Sequence, residues 1–371
     1  MRLNGTTFSH LRGLAQLACD ATVGVTNSVE QLHGAVASLA LPLGKPAPNR
    51  TRGITGFVYN RVRATTHLAG RAVDLALQPL AGLPGVDSTN GWQAAAVAVI
   101  NGTHGDHLAN SGNPLAIDMQ LIPPAATATG SRTLLLVHGL CMHEGQWLRQ
   151  GHDHGQALAR DLGYAPLYLR YNSGLPVAEN GRKLSLQLEQ LCADEAKPLG
   201  NLTILGYSLG GVVSRSACAH ARAHGFQWLR KLRHLVFLGT PHLGSPLERG
   251  GHSLDRLLDL SPYLSAFSRL GKARSQGIRD LRHGLDSADV PLPHGVRCFA
   301  VAGCRSKASS SVQQRMLGDG LVPVDSALGK SGSRHRSLGL RKENQWVAHR
   351  TGHLDLLNSP DVYQQLRRWL A

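Results

Sequence analysis

The stretch "LTILGYSLGGVVSRSA", Leu202 to Ala217, decides how this chain is read. An apolar run with β preference ends at a serine, and a segment with helical spacing begins just after it. Gly206-Tyr207-Ser208-Leu209-Gly210 fits G-x-S-x-G between a strand and a helix, the context in which that pattern marks a nucleophile. The turn is sharp enough that side chains at the two glycine positions would collide. A helix starting at the serine aims its positive end at the reacting centre and favours an anion there.

Working outward, the flanking segments repeat the theme. "SRTLLLVHGL" (131–140), "APLYLRYN" (165–172), "LRHLVFLGTPH" (232–242) and "VRCFAVAG" (296–303) are short, nearly continuous apolar runs. Such runs suit strands buried on both faces, as in a parallel sheet. Between them lie helical segments such as "GQALARDLG" (155–163) and "NGRKLSLQLEQLCADEA" (180–196). Alternating β and α implies an α/β fold: a mostly parallel sheet with helices on both faces. "AAAVAVING" (94–102) and "LAIDMQLI" (115–122) are expected as two further strands around a Gly/Asn-rich turn.

Chemistry in open α/β sheets sits beyond the carboxyl ends of the strands. A serine hydroxyl needs a base there, and the base needs an orienting acid. The order Ser…Asp…His points to Asp319, in "LGDGLVPVDSAL", and His353, in "RTGHLDLLNSP". Asp319 lies between two glycines, in a loop tight enough to let a carboxylate approach an imidazole. Asp325 is expected as a helix N-cap and Asp355 as a helix-start charge. His349 and His335 are the rival bases. The oxyanion hole is expected from the backbone N–H groups of Leu209 and Leu140. His138 is expected to shape the loop that carries Leu140. His143 with His152-Asp153-His154 is not taken as a metal site, and Cys141 is expected as a packed small residue.

With these residues placed, the chain from about Trp92 onward resembles the α/β-hydrolase superfamily. It is most similar to bacterial lipase-like and glycosylphosphatidylinositol inositol-deacylase-like serine hydrolases. The matching pieces are "LLLVHGL", "GYSLGG", "GTPHLGSP" and "GDGLVPVDSAL…GHLDLL". The resemblance implies a carboxylic ester hydrolase that forms a serine acyl-enzyme without a cofactor, with Ser208, Asp319 and His353 as its triad. A thioesterase or acyltransferase would use the same residues, and a non-catalytic membrane- or protein-interaction module on the same scaffold is the alternative from another class. Residues 247–290, with Leu254, Leu257, Leu258, Tyr263, Leu264 and Phe267, are expected as a helical insertion where such proteins carry a lid or acyl-binding cap. As a cap it implies a lipophilic ester or lipid substrate; as a helix pair it is packing alone.

Residues 1–88 read as a separate N-terminal helical hairpin and 89–371 as the α/β-hydrolase domain. Leu11, Ala18, Val25, Leu32 and Leu39 recur every seven residues, and Leu14, Ala21, Val29 and Val36 fall near the same face. "LPLGKPAPNRTRG" (41–53) breaks the pattern, and Ile54, Val58, Val62, Thr65, Leu68, Ala72 and Ala76 resume it. The hairpin is expected first as a brace packed on the main domain; the alternative, a membrane-surface or dimerisation element, rests on the arginines clustered on its second helix and its approach.

The 371 residues carry a formal net charge of +15, which favours an anionic contact such as membrane headgroups, nucleic acid or an acidic partner, and equally fits a basic cytosolic enzyme. The basic residues are dispersed and aromatics make up only 5%, so no nucleic-acid partner is expected. Six cysteines show no metal spacing and are expected as reduced, mostly buried thiols. The first residues lack a signal-type apolar core, and no run is long enough to span a membrane. A cytoplasmic protein, at most peripheral to a membrane, is the expectation.

Overall fold

A computed structural model describes residues 5–39, 51, 53–81, 91–123, 132–194, 199–244, 275–283, 290–307, 318–333 and 336–371. The insertion expected at 247–290 lies outside them apart from residues 275–283 and 290, as does His335. The chain divides into two compact units.

The first unit comprises Met1–Thr89 and Leu108–Ala116. Its helices α1 (Gly5–Leu39) and α2 (Gly53–Ala81) pack against each other. Their seam is polar. Arg63 Nη1 donates to Glu30 Oε2 at 2.6 Å, and Arg12 Nε to Asp74 Oδ1 at 2.9 Å. Thr51 donates both its N–H and its hydroxyl to Glu30 Oε1. Gly70 closes on the Cys19 thiol, which donates to Thr66 O. The seven-residue apolar stripe does not fill this seam: Leu11, Leu14, Val25, Val29 and Leu32 face solvent.

The second unit comprises Asn90–His107 and Ile117–Ala371. Helix α3 (Gly91–Asn110), which bridges both units in sequence, replaces the strand expected at 94–102. Five alanines and one buried stripe (Ala95, Ala98, Val99) suit a helix, and the valines and isoleucine gave the misleading β signal. Of the strand expected at 115–122, only Gln120–Ile122 forms one, β1. There follow β2 (Arg132–Val137), α4 (His154–Leu162), β3 (Tyr164–Arg170), α5 (Val177–Ala193), β4 (Asn201–Tyr207) and α6 (Leu209–His224). Then come α7 (Trp228–Lys231), β5 (Leu232–Leu238), α8 (Gln276–His283), β6 (Arg297–Cys304), α9 (Val324–Ala327), β7 (Gln345–His349) and α10 (Pro360–Leu370).

The strands form one sheet in the order β1-β3-β2-β4-β5-β6-β7, all parallel except β1. Alternate residues feed two cores. Leu135, Val137, Ile204 and Phe237 face one, with α5 and α6; Leu134, Leu136, Leu205 and Val236 face the other, with α4 and α10. This is why the strands read as unbroken apolar runs: each such side chain contributes about 1.5–3 kcal/mol wherever it points. Local signals end the helices. Asp153 caps α4 by accepting from Gln156 N, Ser359 caps α10 by accepting from Val362 N, and left-handed Gly163 and Gly225 close α4 and α6.

All six cysteines are free thiols. Cys298 and Cys304 sit near opposite ends of β6, about 20 Å apart by strand rise, far beyond disulfide reach.

Candidate active site

Register brings the site together at the carboxyl end of the sheet. Val137 pairs with Gly206, and Gly206 with Phe237, so β2, β4 and β5 end side by side. Ser208 occupies the turn between β4 and α6, with φ 52° and ψ −123°. A non-glycine residue there is strained, and it is held because its neighbours leave no alternative. The Ser208 N–H donates to Leu238 O at 2.8 Å. A Cβ on Gly206 would stand 2.5 Å from Gly211 Cα, and one on Gly210 would stand 2.2 Å from Val137 O. Both glycines of the motif are therefore required by backbone contact. The Ser208 side chain is half-buried, and its hydroxyl has no hydrogen-bond partner among the described residues.

Asp319 lies in the loop after β6, fully buried. Its Oδ1 accepts from the N–H groups of Leu321 and Val322, at 2.9 and 2.8 Å. Its Oδ2 accepts from His353 Nδ1 at 2.7 Å. Gly318 makes the loop possible: its φ is 54°, and a Cβ there would sit 1.9 Å from Val322 O. A carboxylate can only accept, so His353 carries its proton on Nδ1 when neutral, and Nε2 keeps a lone pair. The His353 N–H donates to Asp319 O at 3.1 Å, a second tie between the same two residues.

Tyr207 and Gly239 link this pair to Ser208. The Tyr207 ring lies 5.0 Å from the His353 ring, and its hydroxyl donates to His353 O at 3.1 Å. A Cβ on Gly239, next to the acceptor of the Ser208 N–H, would meet Asp319 Oδ2 and His353 Cε1 at 3.2 Å. The rivals form no such carboxylate–imidazole pair among the described residues. His349 is exposed at the end of β7. Asp325 is exposed in the first turn of α9, whose N-cap is Pro323, so the N-cap expected of Asp325 does not form. Asp355 accepts from Gly352 N at the start of the 3-10 turn Leu354–Leu357.

Two backbone N–H groups near the elbow make no hydrogen bond to a described residue. The Leu209 N–H is at the first residue of α6, where helix geometry supplies no partner. Leu140 lies in the turn after β2; its N–H makes no hydrogen bond to a described residue, whereas the next N–H, of Cys141, is committed to Ser173 Oγ at 3.0 Å. His138 donates from Nδ1 to Gly139 O and stacks on Tyr171, whose hydroxyl donates to His138 O. Burial pushes the His138 imidazole down to about 4 and the Cys141 thiol up to about 12, so both stay neutral at physiological pH. His152 Nε2 meets His154 Nδ1 at 2.8 Å, and His154 Nε2 donates to Leu356 O, which steadies the turn behind His353. No group of side chains suited to holding a metal occurs among the described residues.

Sequence reasoning did not single out Tyr207, Tyr171 or Ser173. Tyr207 was within reach as the large residue inside G-x-S-x-G, but its partner lies 146 positions away.

Seven strands with an antiparallel first member, a strained serine turn after β4 and an Asp–His pair beyond β6 and β7 define the architecture. The fold is that of an α/β-hydrolase. Residues 176–257 of the chain match the family model described as "Putative serine esterase (DUF676)". Bacillus licheniformis lipase BlEst2 in mature form is similar at 17% identity, over 68% of this chain and 98% of that one, with a TM-score of 0.45. A lipase-esterase related protein from Clostridium acetobutylicum is similar at 15% identity, over 67% and 98%, with a TM-score of 0.43. Phospholipase PlaB from Legionella pneumophila is similar at 18% identity, over 53% of this chain and 45% of that one, with a TM-score of 0.39. No curated protein matches the chain.

Proposed function

We propose that the protein is a serine hydrolase that cleaves carboxylic esters of lipophilic alcohols or acids. The observation that carries this reading is the buried 2.7 Å bond between His353 Nδ1 and Asp319 Oδ2 beside the strained Ser208 turn. In the reaction, His353 Nε2 takes the Ser208 proton as Oγ attacks the ester carbonyl. The tetrahedral oxyanion is held by the Leu209 and Leu140 N–H groups. His353 then protonates the departing alcohol, leaving an acyl-enzyme. Water, activated by the same nitrogen, releases the acid and restores Ser208. Asp319 stays ionised, fixes the tautomer and stabilises the imidazolium. No metal or cofactor takes part. The net charge of +15 supports work at an anionic lipid surface.

The test is labelling with a fluorophosphonate probe, with p-nitrophenyl esters of increasing chain length as substrates. Labelling of the wild type that disappears in Ser208→Ala, with an optimum at medium or long chains, is the expected result. A folded wild type that stays unlabelled with and without lipid vesicles overturns the reading.

A further inference from the structure

Fourteen large apolar side chains are exposed among the described residues, and twelve belong to α1 and α2; the other two are Leu148 and Leu186. Leu11, Leu14, Val25 and Leu32 on α1 share one side at helical spacing, opposite the seam that holds Arg12, Gln16 and Glu30. On α2, Ile54, Phe57, Leu68 and Leu75 are exposed in the same manner, while Arg63 and Asp74 turn inward. The hairpin is thus inside-out: its charges pair within and its apolar residues point away.

The distribution of charge identifies the occupant. The two helices carry three carboxylates, Asp20, Glu30 and Asp74. Glu30 and Asp74 are bound in the seam, and Asp20 lines a small cavity there with Cys19, His67 and Arg71. The outer stripes contain none. Their one ionised residue is Arg61, whose guanidinium lies 4.9 Å from the Phe57 ring. In sequence, the connecting segment 40–52 carries Lys45, Arg50 and Arg52 and no acid. A second copy would bring the same acid-free face and offer Arg61 no partner. An anionic lipid surface covers the apolar stripe and pairs with the cations at once. No helix among the described residues is long and apolar enough to cross a membrane, which leaves the hairpin lying along the interface.

We propose that the α1–α2 hairpin is a docking element for anionic lipid surfaces. The inference is independent of the esterase reading. It is tested by sedimenting the full chain with vesicles of phosphatidylglycerol mixed into phosphatidylcholine, and with phosphatidylcholine alone. The wild type sediments with the anionic vesicles. Leu14→Gln, Val25→Gln and Leu32→Gln together weaken that by at least about tenfold, and Arg61→Gln alone by roughly fivefold. These positions are exposed, and circular dichroism checks that each variant stays folded. Ser208→Ala sediments like the wild type whether or not it loses ester turnover, which separates the two proposals. Failure of the wild type to sediment, or equal sedimentation of the triple variant, overturns this one. So does a wild-type dimer that ignores vesicles and that the triple variant dissociates, because the stripe is then a seam between copies.

Discussion

Tyr207 donates its hydroxyl hydrogen to the main-chain carbonyl of His353 at 3.1 Å, so the residue before the serine holds the candidate base from behind. Tyr207 is fully buried, and burial raises its phenol well above the usual range, with the nearby Asp319 charge adding to the shift. The hydroxyl is a permanent donor. Tyr207→Phe keeps the ring against the imidazole and deletes only this bond, whose net worth is about 1 kcal/mol. The expected result is a kcat lowered by roughly fivefold with KM little changed. A rise in KM at constant kcat would show that Tyr207 shapes the pocket instead.

Asp319→Asn separates orientation from folding. The Asn carbonyl oxygen can still accept from Leu321 and Val322, so the loop is expected to survive. The amide NH2 would face His353 Nδ1 and force the proton to Nε2, the wrong tautomer for a base. Turnover is expected to fall by about 10³–10⁴-fold at neutral pH, with the unfolding midpoint nearly unchanged. Full activity in a folded Asp319→Asn protein would remove Asp319 from the mechanism.

Buried histidines set an acid limit. Burial lowers His138 and His154 to about 4 from the ordinary 6.5. Between those values the unfolded chain binds protons that the folded chain excludes, so stability rises with pH across this window. It is fully present above 6.5 and lost as pH falls towards 4. Each group contributes on the order of 3 kcal/mol over the full window. Urea unfolding at pH 7.5 and pH 5 should show the loss. His154→Gln, which can still donate to Leu356 O, should make the pH dependence shallower; an unchanged slope would rule out His154 as a source.

The sheet was legible in the sequence because burial on both faces leaves no polar alternation to confuse the reading. Ser208 and Asp319 were legible because close backbone approach leaves a mark, glycine, on each side of them. "AAAVAVING" misled because alanine with valine and isoleucine serves either a buried helix or a buried strand, and only tertiary context decides. The stripe from Leu11 to Leu39 announced a helix, but periodicity does not say which side its partner covers. The pairing of Arg63 with Glu30 and of Tyr207 with His353 joins distant positions, and local pattern cannot carry it.

Two glycines distinguish strain from collision. Gly225 closes α6 with φ 66° and open space around its missing side chain. Gly225→Ala meets only the left-handed penalty, about 1 kcal/mol. Gly210 is a different case, because a Cβ there would press on Val137 O and His138 O at 2.2 and 2.5 Å, both main-chain atoms that cannot rotate aside. Gly210→Ala must push α6 away from β2, moving the Leu209 and Leu140 N–H groups apart. Its stability loss is expected to exceed that of Gly225→Ala by about 2 kcal/mol or more, on the scale of other overpacked cores. Its turnover loss should exceed anything the unfolded fraction explains, while Gly225→Ala stays fully active. Denaturant unfolding and ester turnover on the same samples decide the matter, and equal activity in the two variants would mean that the elbow tolerates displacement.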